Sequence, residues 1–334
     1  MTEEGKRIRA AITATAHFLP DKVVTNADLE RLVDTSDGWI RSRTGISERR
    51  FLPEDEPTST MAVAVAQELL ARRGIDADDI DLIIVATITP DMIFPATACL
   101  VQHAIGASQV WAYDLSAACS GFVFAVATGA QFIESGAHRR VMVIGADKMS
   151  SILDFEDRAT CVLFGDGAGG VLLERGEDGA GMIDFELYAD GAAVECLHIK
   201  GGGSLHPPSH ETVDQRMHYI RQEGRTVFRF AVEKMAEVSV SLLERNGLTG
   251  ADIKLFVPHQ ANKRIIDAAA QRMDLPPEKV MMNIDRYANT TAATIPIALA
   301  EAADQGRLER GDLVLMTGVG GGLTWGSTLF RWGQ

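Results

Sequence analysis

The stretch Asp114-Leu115-Ser116-Ala117-Ala118-Cys119-Ser120-Gly121-Phe122 joins two kinds of sequence pattern. Residues 110–115, which lead into it, form a short apolar run that is typical of a buried strand. Residues 119–135, which follow, have the length of a helix and are rich in small apolar side chains. The small residues between the two segments predict a tight turn, with Cys119 at the start of a buried helix.

The same alternation of strand and helix extends in both directions. Apolar strand-like runs occupy residues 81–87, 110–115 and 140–146 in the first half of the chain, and residues 254–258, 280–284 and 312–318 in the second half. Residues 291–305 fill the helical position in the second half that residues 119–135 fill in the first. Near-continuous apolar strands predict mostly parallel sheets that are covered by helices on both faces.

The two halves also repeat one another weakly. The pair Asp79-Ile80 precedes an apolar run in the first half, and Asp252-Ile253 precedes one in the second half. A distinctive polar residue follows the next strand-like run in each half, Cys119 in one and Asn289 in the other. Because sites collect at the carboxyl ends of such strands, Cys119 and Asn289 are expected to face each other across a pseudo-twofold axis.

This repeat predicts an α/β fold of two pseudo-duplicated halves, residues 1–175 and residues 176–334. Layers of helix and sheet would then stack in a five-layered αβαβα arrangement.

Composition and charge exclude several functional classes. The chain has 334 residues, 46% of them apolar and 23% charged, which is ordinary for a globular protein. Its net charge of -14 disfavours binding to nucleic acid or to an anionic membrane surface. Residues 1–10 contain acids and bases without an apolar stretch, so we expect neither a signal peptide nor a membrane span, and a cytoplasmic location.

The four cysteines are Cys99, Cys119, Cys161 and Cys196. Their wide spacing is typical neither of a disulfide framework nor of a metal site. We expect Cys99, in an apolar helix, Cys161, on a strand, and Cys196, beside Leu197, to be buried core residues. Cys119 differs because a helix N-terminus favours a thiolate, which would lower the pKa of its thiol and make the sulfur a nucleophile.

Two further polar residues occupy positions that suit catalysis. His259, in Val257-Pro258-His259-Gln260-Ala261-Asn262, comes just past the end of an apolar strand, where its side chain can enter a cleft. Asn289 begins the helical segment of the second half, and its amide suits the binding of a thioester oxygen that gains negative charge. Taken singly, each also fits a structural role, as a buried hydrogen-bonding histidine and as a helix N-cap.

Two glycine-rich segments follow apolar runs. Gly318-Val319-Gly320-Gly321-Gly322-Leu323-Thr324-Trp325-Gly326 lacks the lysine and hydroxyl residue of a phosphate-binding loop and the position of a dinucleotide fingerprint. We expect it to expose a backbone N–H, that of Gly321, which would complete an oxyanion hole with the N–H of Cys119. The second segment, residues 164–170, is expected to serve close packing of strands.

Four motifs taken together resemble the β-ketoacyl-acyl-carrier-protein synthase III family of condensing enzymes, in the thiolase superfamily. They are Ala118-Cys119-Ser120-Gly121-Phe122, Pro258-His259-Gln260-Ala261-Asn262, Asn289-Thr290-Thr291-Ala292-Ala293 and Gly320-Gly321-Gly322-Leu323-Thr324-Trp325-Gly326. The resemblance runs nearly end to end and includes Thr35-Ser36-Asp37-Gly38-Trp39-Ile40 and Arg43-Thr44-Gly45-Ile46. It implies a homodimer of thiolase fold in which Cys119, His259 and Asn289 form the catalytic triad.

The resemblance also implies binding residues. Those for coenzyme A are Trp39, Arg43, Arg158 and Asn262, and those that receive an acyl carrier protein are Arg229 and Arg264. Around the acyl pocket it implies Met149, Phe164 and Val319, with Phe94 of the partner subunit at the far end. The sequence departs from the family at Ala288, Thr291 and Val319. From the size of Val319 and the flexibility of Met149 we expect starters from acetyl to about six carbons.

The reaction that the resemblance implies is a decarboxylative Claisen condensation of an acyl-CoA starter with malonyl-acyl-carrier-protein, without metal or redox cofactor. It would initiate fatty-acid synthesis. A related priming ketosynthase or acyltransferase of polyketide metabolism is the alternative among enzymes. A non-catalytic module of the same fold is the alternative from another class, and the presence of all three triad residues argues against it.

Overall fold

The computed structural model describes residues 8–334. Most of the N-terminal stretch for which the sequence predicts neither a signal peptide nor a membrane span therefore lies outside the described residues. In chain order the strands are β1 (Ala10–Phe18), β2 (Val23–Thr25), β3 (Glu48–Arg50), β4 (Leu82–Ala86), β5 (Trp111–Leu115), β6 (Arg140–Asp147), β7 (Gly167–Arg175), β8 (Gly181–Ala189), β9 (Leu197–His198), β10 (Arg221–Gln222), β11 (Leu255–Pro258), β12 (Leu313–Gly320) and β13 (Thr324–Arg331).

The α-helices vary from single turns to a long helix of the second half. In chain order they are α1 (Asn26–Leu29), α2 (Asp37–Thr44), α3 (Thr58–Arg73), α4 (Thr97–Ala104), α5 (Gly121–Glu134), α6 (His210–Asp214), α7 (Gly224–Arg245), α8 (Lys263–Arg272), α9 (Ile284–Tyr287) and α10 (Thr294–Asp304).

Two large sheets share one strand plan. The first has the order β1-β7-β6-β4-β5, in which β4 runs parallel to β5 and β6 while β7 runs antiparallel to β6 and β1. The second has the order β8-β13-β12-β11, with the same sequence of directions, and Val280 extends it by a single parallel bridge to Phe256. The sheet plan thus repeats, as the weak sequence repeat predicts.

Helices pack on both faces of both sheets. The layer between the sheets holds α5 and α10, which contact strands of the first and of the second sheet. On the outer faces, α3 and α4 cover the first sheet and α7 and α8 cover the second. All five residues of β4 are buried, as expected for a strand covered on both sides. This stacking gives the five predicted layers. The division of the chain into two halves after residue 175, between β7 and β8, stays a prediction.

Glycines let the middle layer press directly on the sheet. A side chain at Gly145 of β6 would bring its Cβ within 2.4 Å of the carbonyl oxygen of Ala292. A side chain at Gly169 of β7 would meet the backbone nitrogen of Ile297 at 2.7 Å. The glycine-rich segment 164–170 is therefore used for close packing, as predicted, although its second part is strand rather than turn.

Some local predictions are wrong. Residues 280–284 form no strand beyond the Val280 bridge, because Gln260 Oε1 accepts the N–H of Asn283 at 3.1 Å and the chain turns into α9. Cys99 lies on a helix as predicted but is exposed, since it occupies the outer face of α4. Cys161 is buried in a turn rather than on a strand, and Cys196 is only half-buried.

Candidate active site

Cys119 lies in a cramped turn after β5, as the sequence predicts. A single 3-10 turn, Ala118–Ser120, runs directly into α5, and Ala118 has a φ of 46°. This left-handed backbone is uncommon for a residue with a side chain. Ser120 and Thr324 donate hydrogen bonds to the carbonyl of Ala117 at 2.8 and 3.0 Å. These contacts hold the turn in the shape that presents the cysteine.

Asn289 lies in the corresponding turn of the second half. Its backbone forms a parallel bridge with Phe164, through N–H to Leu163 O at 3.0 Å and through O to Gly165 N at 3.1 Å. A 3-10 turn, Thr291–Ala293, then leads into α10, and Thr291 has a φ of 49°. Each turn therefore has a left-handed residue that opens a 3-10 turn before a buried helix of the middle layer, with Cys119 directly after that residue in one turn and Asn289 two positions before it in the other.

His259 follows β11 and points into the same region. Its backbone N–H donates to Thr317 O on the neighbouring strand β12 at 2.8 Å. Ring atom Nδ1 lies 2.7 Å from the hydroxyl of Thr294, whereas Nε2 is buried and has no hydrogen-bond partner among the described residues. An unpartnered polar atom in a buried place is costly unless a ligand fills it. Nε2 is thus free to act on a substrate.

Burial sets the protonation of both groups. Burial lowers the pKa of His259 to about 3, so the ring is neutral at physiological pH. Burial, together with the nearby carboxylate of Asp147, raises the pKa of the Cys119 thiol to about 12. The predicted lowering of the cysteine pKa is therefore wrong for the resting protein, because one 3-10 turn at the helix start does not offset desolvation. The thiol must lose its proton when it attacks, and His259, which lines the same cavity with Nε2 unpartnered, can accept a proton only as charge develops on a bound substrate, because its own pKa is low.

One cavity joins these residues. It has a volume of about 710 Å³, and Cys119, His259 and Asn289 all line it. Most of the remaining lining is apolar, including Leu163, Phe164, Leu197, Ile199, Ile220 and Val319. A mostly apolar cavity with a few convergent polar groups is typical of a small-molecule site.

The glycine-rich loop between β12 and β13 lies against the cysteine. Gly320 and Gly321 both line the cavity. A Cβ on Gly320 would lie 2.7 Å from the backbone nitrogen of Cys119, which leaves no room for a side chain. The close approach places the Gly320 end of this loop beside the backbone nitrogen of Cys119, and the pairing of the Cys119 and Gly321 N–H groups stays a prediction.

The predicted coenzyme A residues gather at the mouth. Trp39, Arg43 and Asn262 line the cavity. Arg158 is not among the described residues that line the cavity. Its guanidinium nevertheless lies over the Trp39 ring, 5.7 Å from the ring centre. Asn262 donates to the carbonyl of Arg43 at 2.9 Å and also caps α8, which fixes one side of the mouth.

Basic residues also border the mouth. Arg264 lines the cavity, and its guanidinium lies 4.8 Å from the centre of the Phe228 ring. Arg229 is exposed on α7 and is not part of the lining. Arg225, one helical turn earlier on α7, does line the cavity, and sequence reasoning missed it. The spacing of Arg225 and Arg229 on one helix face was the signal that could have found it.

The four predicted acyl-pocket residues do not all line the cavity. Phe164 and Val319 line the cavity. Met149 is fully buried and is not among the described residues that line the cavity. Phe94 lies in the loop before α4 and is 82% exposed. A role for Phe94 therefore depends on a second copy of the chain. Sequence reasoning missed Leu197, Ile199 and Ile220, which carry no motif. Leu197 begins β9, Ile199 follows it, and Ile220 precedes β10.

Within residues 8–334, no group of three or more histidine, cysteine, aspartate or glutamate side chains is arranged to hold a metal ion. The helices of this same range include none that is long and apolar enough to cross a membrane.

Comparison with known proteins gives consistent matches. The model of the 3-oxoacyl-[acyl-carrier-protein] synthase III family matches residues 113–191, and the model of its C-terminal part matches residues 243–332. The chain is 58% identical over 328 residues to the β-ketoacyl-[acyl-carrier-protein] synthase III of Chlorobaculum tepidum, covering 97% of this chain and 100% of that protein. It is 55% identical to the protein of that name from Solibacter usitatus, covering 97% and 99%.

Solved structures agree. The crystal structure of 3-oxoacyl-[acyl-carrier-protein] synthase III from Aquifex aeolicus VF5 superposes with a TM-score of 0.89 at 47% identity, covering 97% of this chain and 100% of that one. The priming β-ketosynthase of the R1128 polyketide pathway superposes with a TM-score of 0.90 at 32% identity, covering 98% of each chain. The predicted thiolase-type fold is thereby confirmed.

Proposed function

This chain belongs to the β-ketoacyl-[acyl-carrier-protein] synthase III family, and from that membership we propose that its cavity joins an acyl-CoA starter to malonyl-acyl-carrier-protein. The chain is an acyltransferase that catalyses a decarboxylative condensation and initiates fatty-acid synthesis. The observation that carries the assignment of residues is the convergence of Cys119, His259 and Asn289 on one apolar cavity.

The first half-reaction acylates Cys119. The thiol proton passes to His259 as the sulfur attacks the thioester carbonyl, since a thiol with a pKa of about 12 carries little thiolate at neutral pH. The resulting oxyanion accepts hydrogen bonds from the N–H groups of Cys119 and Gly321. Collapse breaks the carbon–sulfur bond to coenzyme A, which leaves as the thiol with the proton that His259 returns.

The second half-reaction forms the carbon–carbon bond. Malonyl-acyl-carrier-protein enters, its carboxylate leaves as carbon dioxide, and the electron pair of the broken bond forms an enolate. Nε2 of His259 and the amide of Asn289 donate hydrogen bonds to the enolate oxygen. Its carbon attacks the acyl group on Cys119, the bond from the acyl carbon to the sulfur breaks, and the thiolate takes up one proton from solvent. The product is 3-oxoacyl-acyl-carrier-protein, and the reaction as written uses no metal or redox cofactor.

Coenzyme A would bind at the mouth. The proposed adenine platform is Trp39, whose ring already carries the Arg158 guanidinium at 5.7 Å. Arg43 and Arg158 supply positive charge for the phosphates, and Asn262 contacts the pantetheine arm. These assignments are supported by the shared lining of Trp39, Arg43 and Asn262.

The carrier protein would dock on α7 and α8. Its acidic surface suits Arg229 and Arg264, the two predicted residues, and Arg225 adds a third charge at the rim. A local basic rim steers an acidic partner even though the chain has a net charge of -14. Charge-reversing changes here should raise the KM for malonyl-acyl-carrier-protein and leave that for acyl-CoA less affected.

We further propose a homodimer in the cytoplasm. Strand β5 lies at the edge of the first sheet, and Trp111 on it is 45% exposed. An edge strand offers backbone N–H and C=O groups that a second copy can pair with. The loop that carries Phe94 is also exposed, so a partner subunit could receive that side chain. Sedimentation equilibrium should give twice the chain mass.

One assay tests the function. Purified protein is incubated with acetyl-CoA and malonyl-acyl-carrier-protein labelled in the free carboxyl group, and carbon dioxide and 3-oxoacyl-carrier-protein are quantified. We expect both in equal amounts from the wild type, and no 3-oxoacyl-carrier-protein from Cys119→Ala. Acyl transfer to oxygen or nitrogen acceptors without loss of carbon dioxide would overturn the proposal. A screen of acyl-CoA starters then separates fatty-acid initiation from polyketide priming, the function that the R1128 enzyme's name gives.

A further inference from the structure

Asp147, the last residue of β6, carries a buried carboxylate close to the active-site cavity. The residue is 0% exposed. Its Oδ1 accepts hydrogen bonds from the backbone N–H of Ile88 at 2.8 Å and from the hydroxyls of Thr87 and Thr89 at 3.0 and 2.9 Å. One end of this carboxylate is thus tied to the loop that follows β4.

The other end of the carboxylate holds the turn in the second half of the chain. Oδ2 accepts hydrogen bonds from the hydroxyl of Thr291 and from the backbone N–H of Ala292, the latter at 3.2 Å. Asp147 therefore joins the first half to the turn that precedes α10. The neutral donors around it replace water without supplying a counter-charge.

Thr291 requires such support. Its φ of 49° is a left-handed conformation, which is costly for a β-branched residue. In this conformation its backbone N–H donates to Asn289 Oδ1 at 2.8 Å. Since the oxygen of the Asn289 amide is engaged there, the NH₂ group is the end left for the cavity, and the side chain is near enough to Cys119 to act against the rise in the pKa of its thiol.

We propose that Asp147 is a positioning residue for Asn289, which acts through Thr291. The carboxylate fixes the left-handed turn, the turn directs the Thr291 N–H to Asn289 Oδ1, and the amide is thereby held with its NH₂ group toward the enolate. The inference rests on the proposed function, because it assigns a task to the Asn289 amide. It adds a residue outside the cavity wall to the machinery of the decarboxylation step.

Two other roles for Asp147 would leave different signatures. A carboxylate that acted on Cys119 directly, by its charge, would alter acylation first. If the carboxylate only filled the interior, removing any one of its hydroxyl donors should reduce the rate of decarboxylation by the same amount. The positioning role instead predicts a selective loss of decarboxylation from changes on the Thr291 side.

The test uses the full-length enzyme and four variants. Asp147→Asn keeps the shape and removes the charge, Thr291→Val deletes the hydroxyl, and Thr291→Ser retains it. Thr87→Val is the matched control, because it deletes one hydroxyl bond to the same carboxylate on the other side. Acylation is followed by mass spectrometry with acetyl-CoA, and decarboxylation by carbon dioxide release from labelled malonyl-acyl-carrier-protein.

We expect Asp147→Asn and Thr291→Val to lose decarboxylation on the order of 10- to 100-fold, because misplacing a group by about 1 Å can cost that much. Acylation should be nearly unchanged in Thr291→Val and no slower in Asp147→Asn, because removal of the carboxylate charge lowers the pKa of the Cys119 thiol. Thr291→Ser should be near wild type, and Thr87→Val should lose less than Thr291→Val. Equal losses from Thr87→Val and Thr291→Val, or a larger change in acylation than in decarboxylation, would overturn the proposal. If Asp147→Asn does not fold, Thr291→Val against Thr291→Ser decides.

A double-mutant comparison tests this inference separately from the proposed function on which it rests. If Asp147 acts through Asn289, adding Asp147→Asn to Asn289→Ala should cause no further loss of decarboxylation. Additive losses would contradict the coupling and leave the proposed function standing. Wild-type decarboxylation by Asn289→Ala alone would instead remove Asn289 from the reaction, and the proposed mechanism with it.

Discussion

The Nδ1 atom of His259 lies 2.7 Å from the hydroxyl oxygen of Thr294, and the same hydroxyl lies 3.0 Å from the carbonyl oxygen of Thr291. A threonine hydroxyl has one hydrogen, so it can donate to only one of the two. If it donates to Thr291 O, His259 carries its proton on Nδ1. If it rotates toward the ring, the proton is on Nε2 and faces the cavity. Thr294 therefore controls the tautomer that decarboxylation needs.

The first prediction concerns Thr294. Thr294→Val removes the partner of Nδ1 and leaves a buried ring nitrogen unsatisfied, so decarboxylation should fall by about 10-fold or more. Thr294→Ser keeps the hydroxyl and should retain most of the activity. Carbon dioxide release from malonyl-acyl-carrier-protein measures both variants. An equal loss in the serine variant would attribute the effect to packing of the methyl group rather than to the hydroxyl.

The second prediction separates the two half-reactions. His259→Ala and Asn289→Ala should each reduce decarboxylation on the order of 100-fold, the usual result of deleting one oxyanion donor. Asn289→Ala should affect acylation of Cys119 much less. For His259→Ala, acylation should also slow, because the buried thiol loses its base, but by less than decarboxylation. Carbon dioxide release near the wild-type rate in either variant would contradict that residue's assignment.

The third prediction is that Cys119 is the sole acylated residue. It lines the cavity, whereas Cys99 is exposed on the outer face of α4 and Cys161 is buried in a turn. Intact-protein mass spectrometry after incubation with acetyl-CoA should give a single adduct. Cys119→Ala should give none, while Cys99→Ala serves as the control and should label normally. An adduct on Cys119→Ala would refute the assignment.

The fourth prediction links His259 to acid stability. In the unfolded chain an ordinary histidine binds a proton below about pH 6.5, whereas burial lowers the pKa of folded His259 to about 3. The unfolded state therefore binds more protons between these values. The contribution of His259 to stability is present above pH 6.5 and is lost as pH falls toward 3, at up to about 1.4 kcal/mol per pH unit.

Urea unfolding at pH 7.5 and 5.5 measures this slope. His259→Gln should lose less stability than wild type over the interval, by roughly 1 kcal/mol. His210→Gln is the control, since His210 is exposed at the start of α6, and its slope should match wild type. Identical slopes for His259→Gln and wild type would contradict a neutral, buried His259.

The fifth prediction concerns starter length. Val319 lines the cavity, so Val319→Phe should shorten the accepted acyl chain, and each methylene that no longer fits should cost about 1–3 kcal/mol in kcat/KM. If Phe94 of a second copy closes the pocket, Phe94→Ala should lengthen the accepted chain. Met149→Ala is a useful comparison, because Met149 is buried away from the cavity wall. An unchanged profile for Phe94→Ala would show that this side chain does not enter the pocket.

The chemistry-bearing residues could be found from sequence because their positions depend on local pattern. Cys119 follows β5 of the first sheet and His259 follows β11 of the second, and polar residues at the carboxyl ends of such strands are typical of sites. The apolar composition of residues 81–87 likewise predicted β4 almost to its ends, because this signal is also local in the sequence. Repetition of the pattern then indicated that Asn289 would lie opposite Cys119.

What sequence could not supply depends on contacts between distant segments. The pKa of Cys119 is set by complete burial and by Asp147, neither of which the helix-start motif contains. The hydrogen bonds of Asp147 come from two loops that are far apart in the chain. Arg225 was missed because its one sequence signal, the spacing from Arg229 on a helix face, does not show that the face borders a cavity. The strand expected at residues 280–284 failed because the side chain of Gln260 redirects the backbone there.

The two turns near Cys119 and Asn289 share one backbone shape. In each of them a left-handed residue, Ala118 or Thr291, opens a 3-10 turn that leads into a buried helix. One backbone device therefore serves two tasks. In one turn it exposes a nucleophile directly after the left-handed residue, and in the other it gives the N–H of the left-handed residue to an amide two positions earlier. The molecule thus obtains two different functional groups from a single way of starting a buried helix.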